Sequence, residues 1–344
     1  MTQQPASDAA ILLDLIAGRW RSEIVHAAVE IGVFEQFPDD GPRRQDEIAR
    51  SAGVDPDRLC RLLRALAALG LLIEHGGTTF AVSSAGRLLR RDERNSLRPV
   101  VLLEEGPVHR SVWSHLPDLV RTGAQDGFLR AFRTTASGYF RRDPSHARLF
   151  RQAMSALSAS ETDVVRALLR PFSFGYAPIL CDIGGGSGHL LAGLLEDHPM
   201  AFGVVFDLPE IADDWANHQT GAVVRDGRCV HIGGDMFTSV PPADAYLMKH
   251  VLRSWSDDEC RQVLGVMRRT ATSGVGLYLC ESVVPEDGKP HPAKILDIHM
   301  LCLGGGRQRT MAELEALLTS TGWKPSRVLV SQGAPLSVVV ATPA

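Results

Sequence analysis

Ten residues near the middle of the chain, Leu180-Cys181-Asp182-Ile183-Gly184-Gly185-Gly186-Ser187-Gly188-His189, join an apolar strand to a glycine-rich turn and then to a helix over 190–195. Glycines in such a turn let a ligand touch backbone, because no Cβ stands in the way. A dinucleotide site would want a third glycine or alanine where this chain has His189, and a pyrophosphate cradle usually lacks an acid at the strand end. Asp182 would repel phosphate and suits a cationic ligand. Two more acids follow at the ends of the next strands. Asp207, in Phe206-Asp207-Leu208-Pro209, is placed to accept both hydroxyls of a ribose, and Asp235, in Gly234-Asp235-Met236-Phe237, falls where adenine-edge contacts are often made. The alternative, a plain tight strand–helix turn over 184–188, does not explain three acids at successive strand ends.

The elements that must position these residues can be read from the hydrophobic period. After Pro178, short β-branched runs alternate with helical ones, with strands at 179–183, 203–206, 229–233, 245–249, 276–281, 326–331 and 336–341. That count suits a doubly wound α/β domain. Earlier in the chain, apolar residues from Ala9 to Phe37 recur at helical spacing up to breaks at Gly32 and Pro38, so this stretch is expected to be helical and largely buried. Two short helices follow with a turn at Gly53 and an Asp55-Pro56 start signal, then a hairpin turning at Gly76-Gly77. Helix, turn, helix and wing outline a winged-helix unit, which taken alone suggests DNA binding. The charges oppose that reading, since residues 1–100 hold 13 arginines, no lysine and 14 acids, and a groove reader needs excess cations. Packing against a second copy, or closure over a pocket, is preferred.

The whole chain of 344 residues carries a net charge of −4, which gives no general reason to expect nucleic acid or an anionic membrane as partner. Six scattered cysteines form no C-x-x-C pair and no zinc-type cluster, which fits a reduced, cytoplasmic chain without a metal. No leader is evident at the N-terminus, and no uncharged apolar run approaches the roughly 18–20 residues that span a bilayer.

With these motifs in place, the sequence resembles the S-adenosyl-L-methionine (SAM)-dependent small-molecule O-methyltransferases of the caffeate and plant natural-product type, including bacterial tailoring enzymes. The resemblance spans nearly the whole chain. It rests on Asp182–Gly188, Phe206–Pro209, Gly234–Phe237, Met248-Lys249-His250-Val251-Leu252 followed by Trp255-Ser256-Asp257-Asp258-Glu259-Cys260, and Gly305-Gly306-Arg307-Gln308-Arg309-Thr310. It implies a Rossmann-like SAM-binding domain over 166–344, an all-helical winged-helix dimerisation domain over 1–100, and linking helices over 101–165 that wall the substrate pocket. By the same resemblance Asp182, Gly184 and Gly186 serve the methionine end of SAM, and Asp207 and Leu208 hold the ribose. Asp235 and Met236 flank the adenine, Lys249 lies near the cofactor, and S-adenosyl-L-homocysteine (SAH) is the product. Substrate contacts would come from Phe140, Phe150, Met154, Ser158 and His299, in a homodimer acting on a small molecule.

Two positions depart from the family pattern. The histidine expected two residues before Trp255, which removes the acceptor's proton, is Arg253, and the supporting glutamate before the Arg-Thr pair is Gln308, while the other supporting acid is retained as Glu281. A guanidinium stays protonated and cannot act as base. Three explanations stand open. Proximity, with Arg253 stabilising a phenolate, could suffice; another residue, His250 or His299, could be the base; or SAM could be bound for non-methylating chemistry such as decarboxylation, hydroxylation, rearrangement or cyclisation. Arg253 could also be a plain surface cation beside Asp257 and Asp258. Methyl transfer to a hydroxyl of an aromatic or polyketide-like metabolite is the favoured function, with carbon or nitrogen acceptors and a SAM-responsive transcription factor as more distant alternatives.

Overall fold

The computed structural model describes residues 7–37, 41–214, 226–331 and 334–344, and the chain divides into two compact units. Unit one comprises Met1–Ser111 and Pro144–Leu157, and unit two comprises Val112–Asp143 and Ser158–Ala344.

In the first unit, the helix Asp8–Ile31 starts where the Ser7 hydroxyl accepts the Ala10 N–H and stops at Gly32, whose left-handed φ of 77° a Cβ would oppose. Its second half is partly buried, with His26 buried and Ala28 and Val29 inaccessible. In its first half Ile11, Leu12, Leu13, Leu15, Ile16 and Trp20 are each half or more exposed. The expectation of a largely buried helix therefore holds only around His26–Val29, since among the described residues nothing covers the apolar side chains of the first half. The expected break at Pro38 lies outside the described residues. Helices Gln45–Ala52 and Pro56–Ala68 follow, the first ended by Gly53 in the left-handed region and the second capped by Asp55, as the sequence signals require.

Strands β2 (Leu72–Glu74) and β3 (Thr79–Val82) form the expected hairpin, and β1 (Arg43–Arg44) adds a third antiparallel strand in the order β1-β3-β2. The domain is thus helical with a small sheet rather than all-helical. A two-residue strand of arginines carries no alternation to read. Phe34, Phe37, Ile48, Leu63, Leu66 and Phe80 form its core.

The second unit is built on a seven-stranded sheet, β4 (Ile179–Ile183), β5 (Phe202–Asp207), β6 (Cys229–Gly233), β7 (Ala245–Lys249), β8 (Gly276–Glu281), β9 (Trp323–Val330) and β10 (Ser337–Pro343). The order is β6-β5-β4-β7-β8-β10-β9; the first five strands run parallel and the β9–β10 hairpin closes one edge antiparallel. β9 starts three residues before the expected strand, because Trp323 is fully buried and its indole N–H donates to the Leu264 carbonyl at 3.0 Å. Apolar clusters cover both faces of the sheet, one centred on Tyr246, Leu264 and Trp323, the other on Leu191, Leu194 and Leu247. From β4 the chain builds outward through β5 and β6, and from β7 in the opposite direction through β8. The order therefore reverses between β4 and β7, and in open α/β sheets ligands bind in the crevice beyond the strand ends at such a reversal.

Candidate active site

On the β4 side of this crevice the backbone takes the conformations that only glycine adopts freely. Gly184 and Gly186 have φ of 70° and 54°, and a Cβ on Gly184 would lie 2.7 Å from Val251 Cγ2. The Gly186 N–H donates to Asp207 Oδ2 at 2.8 Å and the Leu208 N–H to Asp207 Oδ1 at 2.7 Å, so the acid at the end of β5 is aimed by the turn after β4. Asp182 is buried and its Oδ1 has no hydrogen-bond partner. Burial pushes its carboxyl up to about 7; Lys249 opposes the shift and Asp207 adds to it. Asp207 is raised in the same direction by burial, against its two backbone hydrogen bonds. Leu208 is exposed, Met236 packs on the core, and the Asp235 carboxylate accepts the Phe237 N–H at 2.9 Å, folding its own turn.

On the β7 side, Lys249 ends the strand, and His250 has a left-handed φ of 58°, unusual for a residue with a side chain. Its Nε2 lies 2.9 and 3.1 Å from the two carboxylate oxygens of Glu161, and its Nδ1 lies 3.7 Å from Glu281 Oε2. Glu161 also sits 3.5 Å from Lys249 Nζ, which donates to the Ser158 carbonyl at 2.9 Å. Burial alone would raise the Glu161 carboxyl; the His250 hydrogen bond and the charges of His250, Lys249 and Arg253 outweigh it and hold the group below its usual range. Burial lowers the Lys249 ammonium, against Glu161 and Asp182.

Glu161 was missed in the sequence. It stands on the long helix Pro144–Leu169, some ninety positions before its partner, where it looks like any surface glutamate.

Arg253 lies in the short 3₁₀ turn Leu252–Ser254 and is half-buried. Among the described residues, no side chain hydrogen-bonds its guanidinium or lies within ion-pair distance. Its backbone is tightly fixed. A Cβ on Gly306 would lie 1.9 Å from the Arg253 carbonyl oxygen, so only glycine admits this approach. Arg309, buried, donates from Nη1 to the Leu252 carbonyl and from Nη2 to the Trp255 carbonyl, each at 2.8 Å, and from Nε to Asp257 at 2.9 Å. Glu281 Oε1 accepts the Leu252 N–H at 3.1 Å. Gln308 is held through its backbone N–H by Asp297 at 2.8 Å, while its buried side-chain nitrogen has no partner. Thus the Gly305–Thr310 motif acts in large part by clamping the turn that carries Arg253.

The expected substrate residues fall in both units. Phe140 packs near Phe128, ring centroids 6.4 Å apart, beside Phe132 and Tyr139 in the second unit. Ser158 takes part through its carbonyl, and His299 Nδ1 accepts the Trp113 indole N–H at 3.3 Å. Phe150 and Met154 belong to the segment of their helix that lies in the first unit.

A glycine turn with acids at successive strand ends, set at the reversal of a parallel sheet, defines a nucleoside-binding α/β enzyme. Comparison with known proteins makes this specific: residues 113–324 match the O-methyltransferase domain family and residues 13–92 the O-methyltransferase dimerisation domain. Phenazine O-methyltransferase PhzM of Lysobacter antibioticus is 31% identical over 335 residues, covering 97% of this chain and 96% of the relative. O-demethylpuromycin-O-methyltransferase of Streptomyces alboniger is 35% identical over 337 residues, covering 96% and 88%. Among solved structures, the calicheamicin-biosynthesis methyltransferase CalO1 in its SAH-bound form aligns with a TM-score of 0.84 at 29% identity, covering 99% of this chain and 100% of that one. The chain belongs to the O-methyltransferase family. It is a SAM-dependent methyltransferase, with SAM as cofactor and SAH as product.

The residues present fit that cofactor. An orphaned, buried carboxylate oxygen on Asp182 is what a cationic ligand would satisfy, and the space a Cβ would take at Gly186 is open. Asp207 is already oriented by two backbone donors with lone pairs to spare for hydroxyls.

Proposed function

We propose that this enzyme methylates a hydroxyl of a small aromatic or polyketide-like natural product, with Arg253 acting where a histidine base would stand in the family pattern. The observation that carries the reading is a turn clamped by Arg309 at the Leu252 and Trp255 carbonyls, which carries a half-buried Arg253 whose guanidinium has no hydrogen-bond partner among the described residues. The relatives' names give phenazine and O-demethylpuromycin as what they methylate on oxygen. SAM supplies an electrophilic methyl on a sulfonium.

The chain supplies orientation and charge. Asp182, Gly184 and Gly186 hold the methionine end, Asp207 and Leu208 the ribose, and Asp235 and Met236 the adenine, with Lys249 near the cofactor. Arg253 stabilises the acceptor oxygen as negative charge gathers on it, which is electrostatic assistance rather than proton abstraction. His250 is committed through Nε2 to Glu161, and Glu281 to the Leu252 N–H, so both are assigned to positioning the turn. Phe140, Phe150, Met154, Ser158 and His299 are assigned to the acceptor side.

We further infer a homodimer, assembled through the exposed apolar half of the helix Asp8–Ile31. The six cysteines are all free and buried, which fits a reducing compartment such as the cytoplasm. A small molecule is the partner, with no role for nucleic acid or membrane.

Incubation with methyl-labelled SAM and a panel of phenolic and polyketide aglycones tests this directly. One methyl gained per SAH formed is expected. Conversion without SAH would mean that the cofactor serves only as a bound charge, and would sink the proposal.

A further inference from the structure

We propose that His250 is held as an imidazolium between Glu161 and Glu281, and that Glu161 is thereby a positioning residue for the turn that carries Arg253. The kinetic part of this inference rests on the methyl-transfer reading above.

The two oxygens of Glu161 lie 3.1 and 2.9 Å from His250 Nε2. An ionised carboxylate only accepts, so the ring carries a proton on Nε2. A neutral ring would then leave a bare lone pair on Nδ1. That atom is buried, has no hydrogen-bond partner among the described residues, and lies 3.7 Å from Glu281 Oε2, which is buried and equally without one. Two acceptors facing each other away from water repel, and each is left unsatisfied. A proton on Nδ1 turns the same approach into an ion pair.

The charges of the cluster agree. Glu161 and Glu281 bring two carboxylates, and the buried Lys249, 3.5 Å from Glu161, answers one of them. Without a charge on the ring, Glu281 is a buried anion held only by the Leu252 N–H at Oε1. Arg253 acts on Glu161, and Asp182 and Cys280 act on Lys249, so the ring itself is faced by acids from two elements, the helix Pro144–Leu169 and β8.

The backbone shows what this pairing holds. His250 takes its left-handed φ of 58° between the end of β7 and the 3₁₀ turn Leu252–Ser254. One carboxylate, Glu281, ties the ring to that turn, with Oε2 towards Nδ1 and Oε1 on the Leu252 N–H, while Glu161 fixes the far side of the ring. Loss of the ring's charge releases Glu281 Oε2 and loosens the seat of Arg253. An imidazolium also has no lone pair for the acceptor's proton, which removes His250 as the base.

The first test reads the ring directly, by nuclear magnetic resonance of SAH-loaded enzyme carrying isotope-labelled histidine. The His250 signals are those missing in His250→Asn, a variant chosen because asparagine tolerates the left-handed backbone. Two protonated ring nitrogens are expected at neutral pH, and Glu161→Gln is expected to make the ring neutral there. The second test uses whichever aglycone of the panel the enzyme methylates. Because the pairing is present while the ring is charged and is lost as pH rises, kcat is expected to fall on the alkaline side with little change in KM for SAM. His250→Asn is expected to lower kcat at least about tenfold and to abolish the alkaline limb, and Glu161→Asp to retain more activity than Glu161→Gln. SAM affinity reports that each variant is folded.

A limb owed to Lys249, whose ammonium burial lowers, would persist in His250→Asn. That persistence, the lack of any limb, a singly protonated ring at neutral pH, or a ring unchanged by Glu161→Gln overturns the proposal. Two protonated nitrogens in an enzyme that methylates no acceptor would leave the imidazolium standing and would sink methyl transfer instead.

Discussion

The two sides of the crevice hold their carboxylates in opposite electrostatic states. On the β4–β5 side, Asp182 and Asp207 are both raised by burial, and Asp182 carries an oxygen with no hydrogen-bond partner among the described residues. On the β7 side, Glu161 is lowered on balance, because His250, Lys249 and Arg253 crowd around it and outweigh its burial. One side holds a buried carboxylate oxygen without a partner among the described residues, which suits the sulfonium of SAM; on the other the acids Glu161 and Glu281 meet Lys249 and His250, and the sheet reversal sets the two sides at neighbouring strand ends.

Removing the Arg253 guanidinium is expected to do most damage. Arg253→Ala should lower kcat by about 10²–10³ while SAM affinity changes little, measured by steady-state kinetics beside calorimetric SAM binding. Unchanged turnover would show that the two sides are not electrostatic complements. On the opposite side, Asp207→Ala should weaken SAM binding by roughly 10–100-fold, since two oriented acceptor oxygens are lost, with a smaller effect on thermal stability. Unaltered SAM affinity would move the ribose elsewhere.

Glu161→Gln should cost about 1–3 kcal/mol of stability, because His250 and the buried Lys249 lose their shared carboxylate. The pH dependence sharpens the contrast. Glu161 has a lowered folded-state pKa, so its contribution is present above the ordinary carboxylate range and is lost as pH falls through the folded value; denaturation curves of Glu161→Gln should be flatter on the acid side.

The smallest effect is expected at Asp182, with the opposite sign. Its folded pKa is raised to about 7, so its contribution is full below the ordinary carboxylate range and is lost as pH rises through about 7. A cationic ligand favours the ionised form, so SAM affinity should rise severalfold across the same window and Asp182→Asn should flatten it. Affinity that does not vary with pH would remove Asp182 from the comparison.

Much of this was legible in the chain itself. The strand and helix signals around Gly184–Gly188 gave the right turn, since a strand running into glycines has few ways to continue, and Asp207 stands at the end of β5, where the sequence put an acid. Arg253 was legible as a departure. Its fixation was not, because Arg309 and Gly306 reach it from more than fifty positions away and no local pattern encodes a clamp on two carbonyls and a carboxylate. The exposed half of the helix Asp8–Ile31 was misjudged for a related reason: periodicity reports an apolar face and is silent on what covers it.

By itself, then, the sequence determined the elements and the chemistry available to them: β-branched runs make strands, glycines make the ligand turn, and Arg253 cannot accept a proton. Only the tertiary structure decided which charges meet. Glu161, His250, Lys249 and Glu281 become one network because the helix Pro144–Leu169 and strands β7 and β8 converge there, and because Coulomb energy depends on separation in space rather than along the chain.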